Sequence, residues 1–186
     1  MKRFLTSLVV FVAGLIIGAF GYKNIWKTDI TPSDAKVTTY TMPHMKRPNL
    51  VVADLQRSKD IYEGVLGLTA SPVSTSAPDS FSYPVFNIPQ DAPIRSMTFH
   101  EPGEQRVMAL TELASLDLPK PHSAPFMSTV VIGITDLEGK FAKLEDIGLK
   151  VTETRIAGGA DFKFIEQAFI DPDGHLIVCY EILPGK

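Results

Sequence analysis

The chain repeats itself. Asn49 to Leu68 reads NLVVADLQRSKDIYEGVLGL, and Thr129 to Val151 reads TVVIGITDLEGKFAKLEDIGLKV. Asp54-Leu55 in the first copy matches Asp136-Leu137 in the second, 82 positions on, and Gly67-Leu68 matches Gly148-Leu149, so the second copy is one residue shorter. In both copies a short apolar strand leads to a turn at aspartate, an amphipathic helix and a glycine stop. A repeat of this length limits the choice of fold more than any single residue does. It predicts two fused modules of mixed helix and strand.

Further elements extend each copy in the same way. In the first module, Leu50 and Val52 fall on one face of the strand, and Asn49, Val51 and Ala53 on the other. Leu55, Ile61, Tyr62, Val65 and Leu66 form the apolar side of the helix. Leu68 to Ser74 follows as a second strand. Residues 75–93, rich in Ser, Pro and Asp, are an insertion with a short extended piece at Phe81–Ile88, placed to act as a lid. Ile94–His100 and Arg106–Glu112 flank Pro102-Gly103 as a hairpin. The three prolines between Asp117 and Pro125 mark a linker. The second module adds strands at Leu149–Ile156, Asp161–Ile170 and His175–Ile182, the last two joined by the Asp171-Pro172-Asp173-Gly174 turn. The expected class is α+β, as two βαβββ modules at 46–116 and 126–183. A single ferredoxin-like domain also uses βαβ pieces, but the length of the repeat favours the paired modules.

Ahead of the modules, Lys2-Arg3 precede an uncharged run from Phe4 to Tyr22. As a helix those residues would reach about 28 Å, close to the thickness of a bilayer core. Residues 1–22 therefore read as a signal anchor or as a cleaved signal peptide, with Ala19 and Gly21 as the small residues of a cleavage site. Both readings stay open. Both place the globular part outside the cytoplasm, membrane-anchored or periplasmic, on a polar tether at 23–45. Without the first 22 residues, 16 basic side chains face 21 acidic ones, a net charge of −5. This argues against a nucleic-acid partner. The single cysteine, Cys179, excludes an intrachain disulfide.

Val51-Val52-Ala53-Asp54-Leu55 with Ser58, Tyr62 and Leu66-Gly67-Leu68, and the Asp171-Pro172-Asp173-Gly174 turn, resemble the vicinal oxygen chelate superfamily. That superfamily includes glyoxalase I, bleomycin- and fosfomycin-resistance proteins and extradiol dioxygenases. The resemblance spans roughly residues 46 to 183. It implies that the curled sheets of the two modules form one cup, and that in the enzymes the cup holds a divalent metal. It also leaves a homodimer open, since members often pair.

The metal ligands do not carry over. The resemblance puts a histidine where this chain has Arg47, a glutamate at Ala109, a ligand at Val130 and a glutamate at Val178. None of these four side chains offers a lone pair that could replace the water shell of a cation. No metal ligand, cofactor or catalytic residue is assigned. By strand parity the cup is lined by Arg47, Asn49, Thr111 and Tyr180 among apolar walls, which suits a small-molecule pocket. Arg47 reads either as the partner of a ligand carboxylate or phosphate or as an ordinary exposed arginine. Tyr180 reads more readily as a plug at the bottom of the cup than as a ligand hydrogen-bond donor. Cys179 falls on the helix side as a buried small side chain. His175 reads as a solvated hairpin residue, and Asp54, Asp136 and Asp171 as turn and cap residues.

The sequence therefore favours a domain that binds a small, apolar or weakly anionic molecule without transforming it. The rival readings are a lyase or dioxygenase with relocated ligands, metal-independent chemistry in the same cup, and an envelope scaffold whose cup is filled.

Overall fold

The computed structural model describes residues 43–119, 124–159 and 162–184. The apolar run at 4–22 and most of the tether lie outside the described residues, and no helix among those described is long and apolar enough to cross a membrane. From Met45 on, the chain forms one compact unit.

The first module runs β1 (Asn49–Val52), α1 (Leu55–Lys59, continuing as a π-helix over Asp60–Val65), β2 (Thr69–Ala70), β3 (Ser74–Thr75), α2 (Ser82–Phe86), β4 (Arg95–Glu101) and β5 (Glu104–Glu112). The second runs β6 (Val130–Gly133), α3 (Leu137–Asp146), β7 (Lys150–Val151), β8 (Arg155–Gly158), β9 (Lys163–Ile170) and β10 (Leu176–Leu183). The two sheets have the same topology, β1-β5-β4-β2 with β3 also on β4, and β6-β10-β9-β7 with β8 also on β9. In each, the first and last strands of the module pair in parallel and the others are antiparallel. The pairs β2/β3 and β7/β8 are single strands broken in the middle, so the plan is βαβββ twice.

Both breaks are mended in the same way. The Ser71 N–H donates to Thr98 O, and Ser71 Oγ accepts from the Thr98 N–H. Thr152 does the same with Ala168. A hydroxyl replaces the carbonyl that the ladder loses.

The helices also start alike. Asp54 accepts from the Gln56 and Arg57 N–H groups and Asp136 from the Gly139 N–H, so both aspartates cap. The next free N–H is taken by a glutamate from the module's own last strand: Leu55 N–H donates to Glu112 Oε2 at 2.8 Å, and Leu137 N–H to Glu181 Oε2 at 2.8 Å. These glutamates sit at matching places, in Thr111-Glu112-Leu113 and Tyr180-Glu181-Ile182. Each is spent on a helix start.

One core joins the modules. Val52, Leu55, Ile61, Tyr62, Leu66, Phe99 and Leu110 pack with Leu137, Phe141, Leu144, Phe169, Ile177 and Cys179. Around it, polar groups cross between modules. Tyr62 donates to Asp171 Oδ2 at 2.9 Å, Arg57 bridges both oxygens of Asp173, and Lys140 Nζ donates to Leu66 O. His175 belongs to this set. Its Nε2 lies 2.8 Å from Val51 O and it is half-buried, so the solvated hairpin histidine expected from the sequence is instead a clasp between modules.

The insertion at 75–93 also differs from its sequence reading. The piece expected to be extended contains α2, whose start is held by Ser80 Oγ accepting from the Ser82 N–H. Asn87 closes the helix in the left-handed conformation. Tyr83 anchors it in a second small core with Ile94 and Leu113, against Val51. Tyr83 is itself held by its hydroxyl, which donates to Ala92 O.

Candidate ligand-binding site

The face of the first sheet away from α1 carries a hollow of about 240 Å³. Its floor follows from strand parity. On β4, Met97 and Phe99 point into the core, so Ser96 and Thr98 point out. On β1 and β5, Asn49 pairs with Ala109 and Val51 with Thr111 on the outward face. Ser71 and Ser74 close one side, and Ser82 of α2 hangs over it. Arg47, just before β1, and Arg106, in β5, complete the rim. Only Met97 and Ala109 lack a polar side chain here, and no acidic residue lines the hollow. Hydroxyl and guanidinium groups line this hollow, and the apolar side chains expected from the sequence gather in the adjacent cleft that Arg47 shares with Val107, Val130 and Val131. The alternation Ser96-Met97-Thr98-Phe99 already held this signal.

Arg47, Asn49 and Thr111 meet in this hollow, as strand parity required. Thr111 is almost fully buried and its hydroxyl donates to Asn49 Oδ1 at 3.1 Å. That bond orients the amide so that its NH₂ group is the free donor. Arg47 has a pKa held below the usual guanidinium value, first by partial burial and second by the Arg106 charge. Sequence reasoning missed Arg106 because the backbone there is irregular. It sits at φ 63° in a bulge where the β4–β5 register shifts beyond Phe99, and its N–H donates to His100 Nδ1 instead of to a carbonyl.

Tyr180 is elsewhere. It lines a neighbouring cleft of about 340 Å³ that also contains Arg47, Val107 and Val130–Gly133. Its ring lies over Gly133, where an added Cβ would approach the ring to 3.0 Å. A larger cleft of about 570 Å³ continues from Tyr180 to His100 and Lys140, whose ammonium is already engaged by Leu66 O.

The positions at which the resemblance would put metal ligands do not fit a metal. Arg47 brings positive charge and Ala109 no donor, and Val178 shares the outward face with Tyr180. Val130, expected on that face, pairs with Ile177 and packs against the core, so the outward residue of β6 is Val131. Among the described residues no group of three or more His, Cys, Asp or Glu side chains could hold a metal ion. Cys179 lies fully buried in the core, and desolvation pushes its thiol pKa up to about 12. It has no nucleophilic role at neutral pH.

Two βαβββ modules with the same sheet topology and one shared core define a paired-module α+β class. The profile of the Glyoxalase/Bleomycin resistance protein/Dioxygenase superfamily matches residues 41–179, and the chain belongs to that superfamily. A glyoxalase family protein from Bacillus cereus superposes with a TM-score of 0.62 over 82% of this chain and 100% of its own, at 13% identity. A glyoxylase/bleomycin resistance protein/dioxygenase domain from Frankia sp. EAN1pec gives 0.51 over 78% and 96%, at 14% identity. At such identities the likeness shows the fold alone. No curated protein matches the sequence.

Proposed function

We propose that this chain is a binding protein built on the glyoxalase scaffold. It takes a small molecule into the hollow of its first module and carries out no metal-dependent reaction on it. The single observation behind this reading is the exchange of side chains in the hollow: Arg47 and Ala109 stand where the enzymes' metal ligands would be expected, beside a ring of hydroxyl and amide groups. Such groups orient a ligand by hydrogen bonds. The apolar run at 4–22 supports export or tethering, with the ligand met outside the cytoplasm.

Elemental analysis and thermal shift together test the proposal. The purified full chain is expected to carry substoichiometric Zn, Ni, Mn and Fe, and to keep its melting temperature in the presence of a chelator. Saturation with a bound compound at about 100 times its Kd is expected to raise that temperature by about 5–10 °C. One equivalent of a transition metal, lost to the chelator together with stability, would restore the enzyme reading.

A further inference from the structure

We infer that the hollow of the first module is a site for a small molecule bearing a phosphate-monoester dianion, with Arg47 and Arg106 as its two cationic contacts. The inference rests on the ligand-binding reading above and narrows it to a ligand class.

Charge comes first. Two guanidinium groups share one small hollow with no acidic side chain in its lining. Among the described residues, neither head group has an ion-pair partner, whereas Arg57, Arg95 and Arg155 each have one. Like charges placed together repel in the empty protein, and a ligand of charge near −2 removes that repulsion. A phosphate monoester carries such a charge at neutral pH, and a lone carboxylate carries half of it.

Geometry agrees with charge. Donors approach from several directions: the arginines from the rim, the Asn49 amide from β1, Ser96 from the floor and Ser82 from the insertion, while the Thr98 hydroxyl is spent on Ser71 Oγ. A tetrahedral group with three acceptor oxygens uses such a spread better than a planar one. Size sets the other limit. About 240 Å³ lies below the usual range of roughly 300–1,000 Å³ for drug-sized ligands. The hollow therefore holds the phosphoryl group and a few further atoms, which excludes a bulky drug. The clefts beside Tyr180 are larger but lack a second free cation.

Arg106 supplies a test that separates binding from structure. At φ 63° an L-residue is strained and glycine is not. Arg106→Gly removes both the strain and the repulsion of Arg47. It is expected to raise the melting temperature of the empty protein by about 2–4 °C. The same variant is expected to weaken binding of inorganic phosphate and methyl phosphate, measured calorimetrically on the full chain, by about 10- to 100-fold. Arg47→Gln is expected to weaken the same two ligands to a similar degree. Phosphate binding unchanged in both variants would overturn the assignment. Preference for succinate over methyl phosphate at equal ionic strength would overturn the tetrahedral part. Stabilisation by neutral compounds alone would remove the anion site while leaving the ligand-binding proposal standing. A protein that binds no compound of either kind would sink both.

Discussion

Replacing Glu112 with alanine is expected to lower the free energy of unfolding by about 3 kcal/mol, read from urea melts at neutral pH. The side chain is almost wholly buried and does two jobs. One oxygen takes the Leu55 N–H at the start of α1, and both face Arg95, at 2.6 Å from Nε and 2.8 Å from Nη2. The arginine side is more than half exposed, so water screens it and little is lost there. The larger loss is the buried Leu55 N–H, left without an acceptor at a helix terminus. Glu112→Gln keeps an acceptor oxygen and is expected to cost less than half as much. Glu181→Ala, which caps α3 without an arginine, is expected to fall between the two. Equal costs for Glu112→Ala and Glu112→Gln would show that charge, not the cap, dominates.

Tyr62→Phe is expected to cost about 2 kcal/mol, for a hydroxyl that touches only one partner. That hydroxyl donates to Asp171 Oδ2, while the other oxygen of the carboxylate accepts from the Asp173 and His175 N–H groups. Burial raises the Asp171 pKa above the ordinary aspartate value, even though these hydrogen bonds pull it down. The folded state therefore holds its proton more tightly than the unfolded chain. Stability from this group is greatest at low pH and is lost as pH rises from the ordinary aspartate value through the raised one. Asp171→Asn removes that dependence, so its stability relative to wild type is expected to improve with rising pH across that window. Tyr62→Phe moves the other way, because the charged carboxylate loses a donor. A double-mutant cycle between the two positions is expected to show a coupling of about 1 kcal/mol or more, since they share one bond. Additivity would mean that the hydroxyl acts through packing against Phe99, whose ring centroid is 5.7 Å away.

The repeat made most of this fold legible. The order of elements along the chain, both aspartate caps and the glycine stops follow from residues visible in both copies. Even the missing residue has a physical counterpart. Leu55 and Leu137 start equivalent helices, Gly67 and Gly148 end them, and the extra residue of the first copy is taken up by the wide π turn over Asp60–Val65. The apolar face is kept because the insertion is absorbed inside the helix. Parity also gave Arg47, Asn49 and Thr111. It failed where the backbone leaves a regular strand. Arg106 lies in a bulge, Ser82 in an insertion whose helix is fixed by tertiary packing of Tyr83, and His175 reaches a carbonyl 124 residues away. Val130 was misplaced for a smaller reason: counting back from Asp136 is off by one relative to pairing with β10, and one step reverses the face.

The two glutamate ties also bear on how the polypeptide closes during synthesis. Each links a helix start to a strand 57 or 44 residues downstream within its own half, so a nascent first half can knot itself before the second leaves the ribosome. It would do so with the Tyr62 hydroxyl and the Val51 carbonyl still awaiting Asp171 and His175. The C-terminal half thus arrives as the stopper that completes its neighbour.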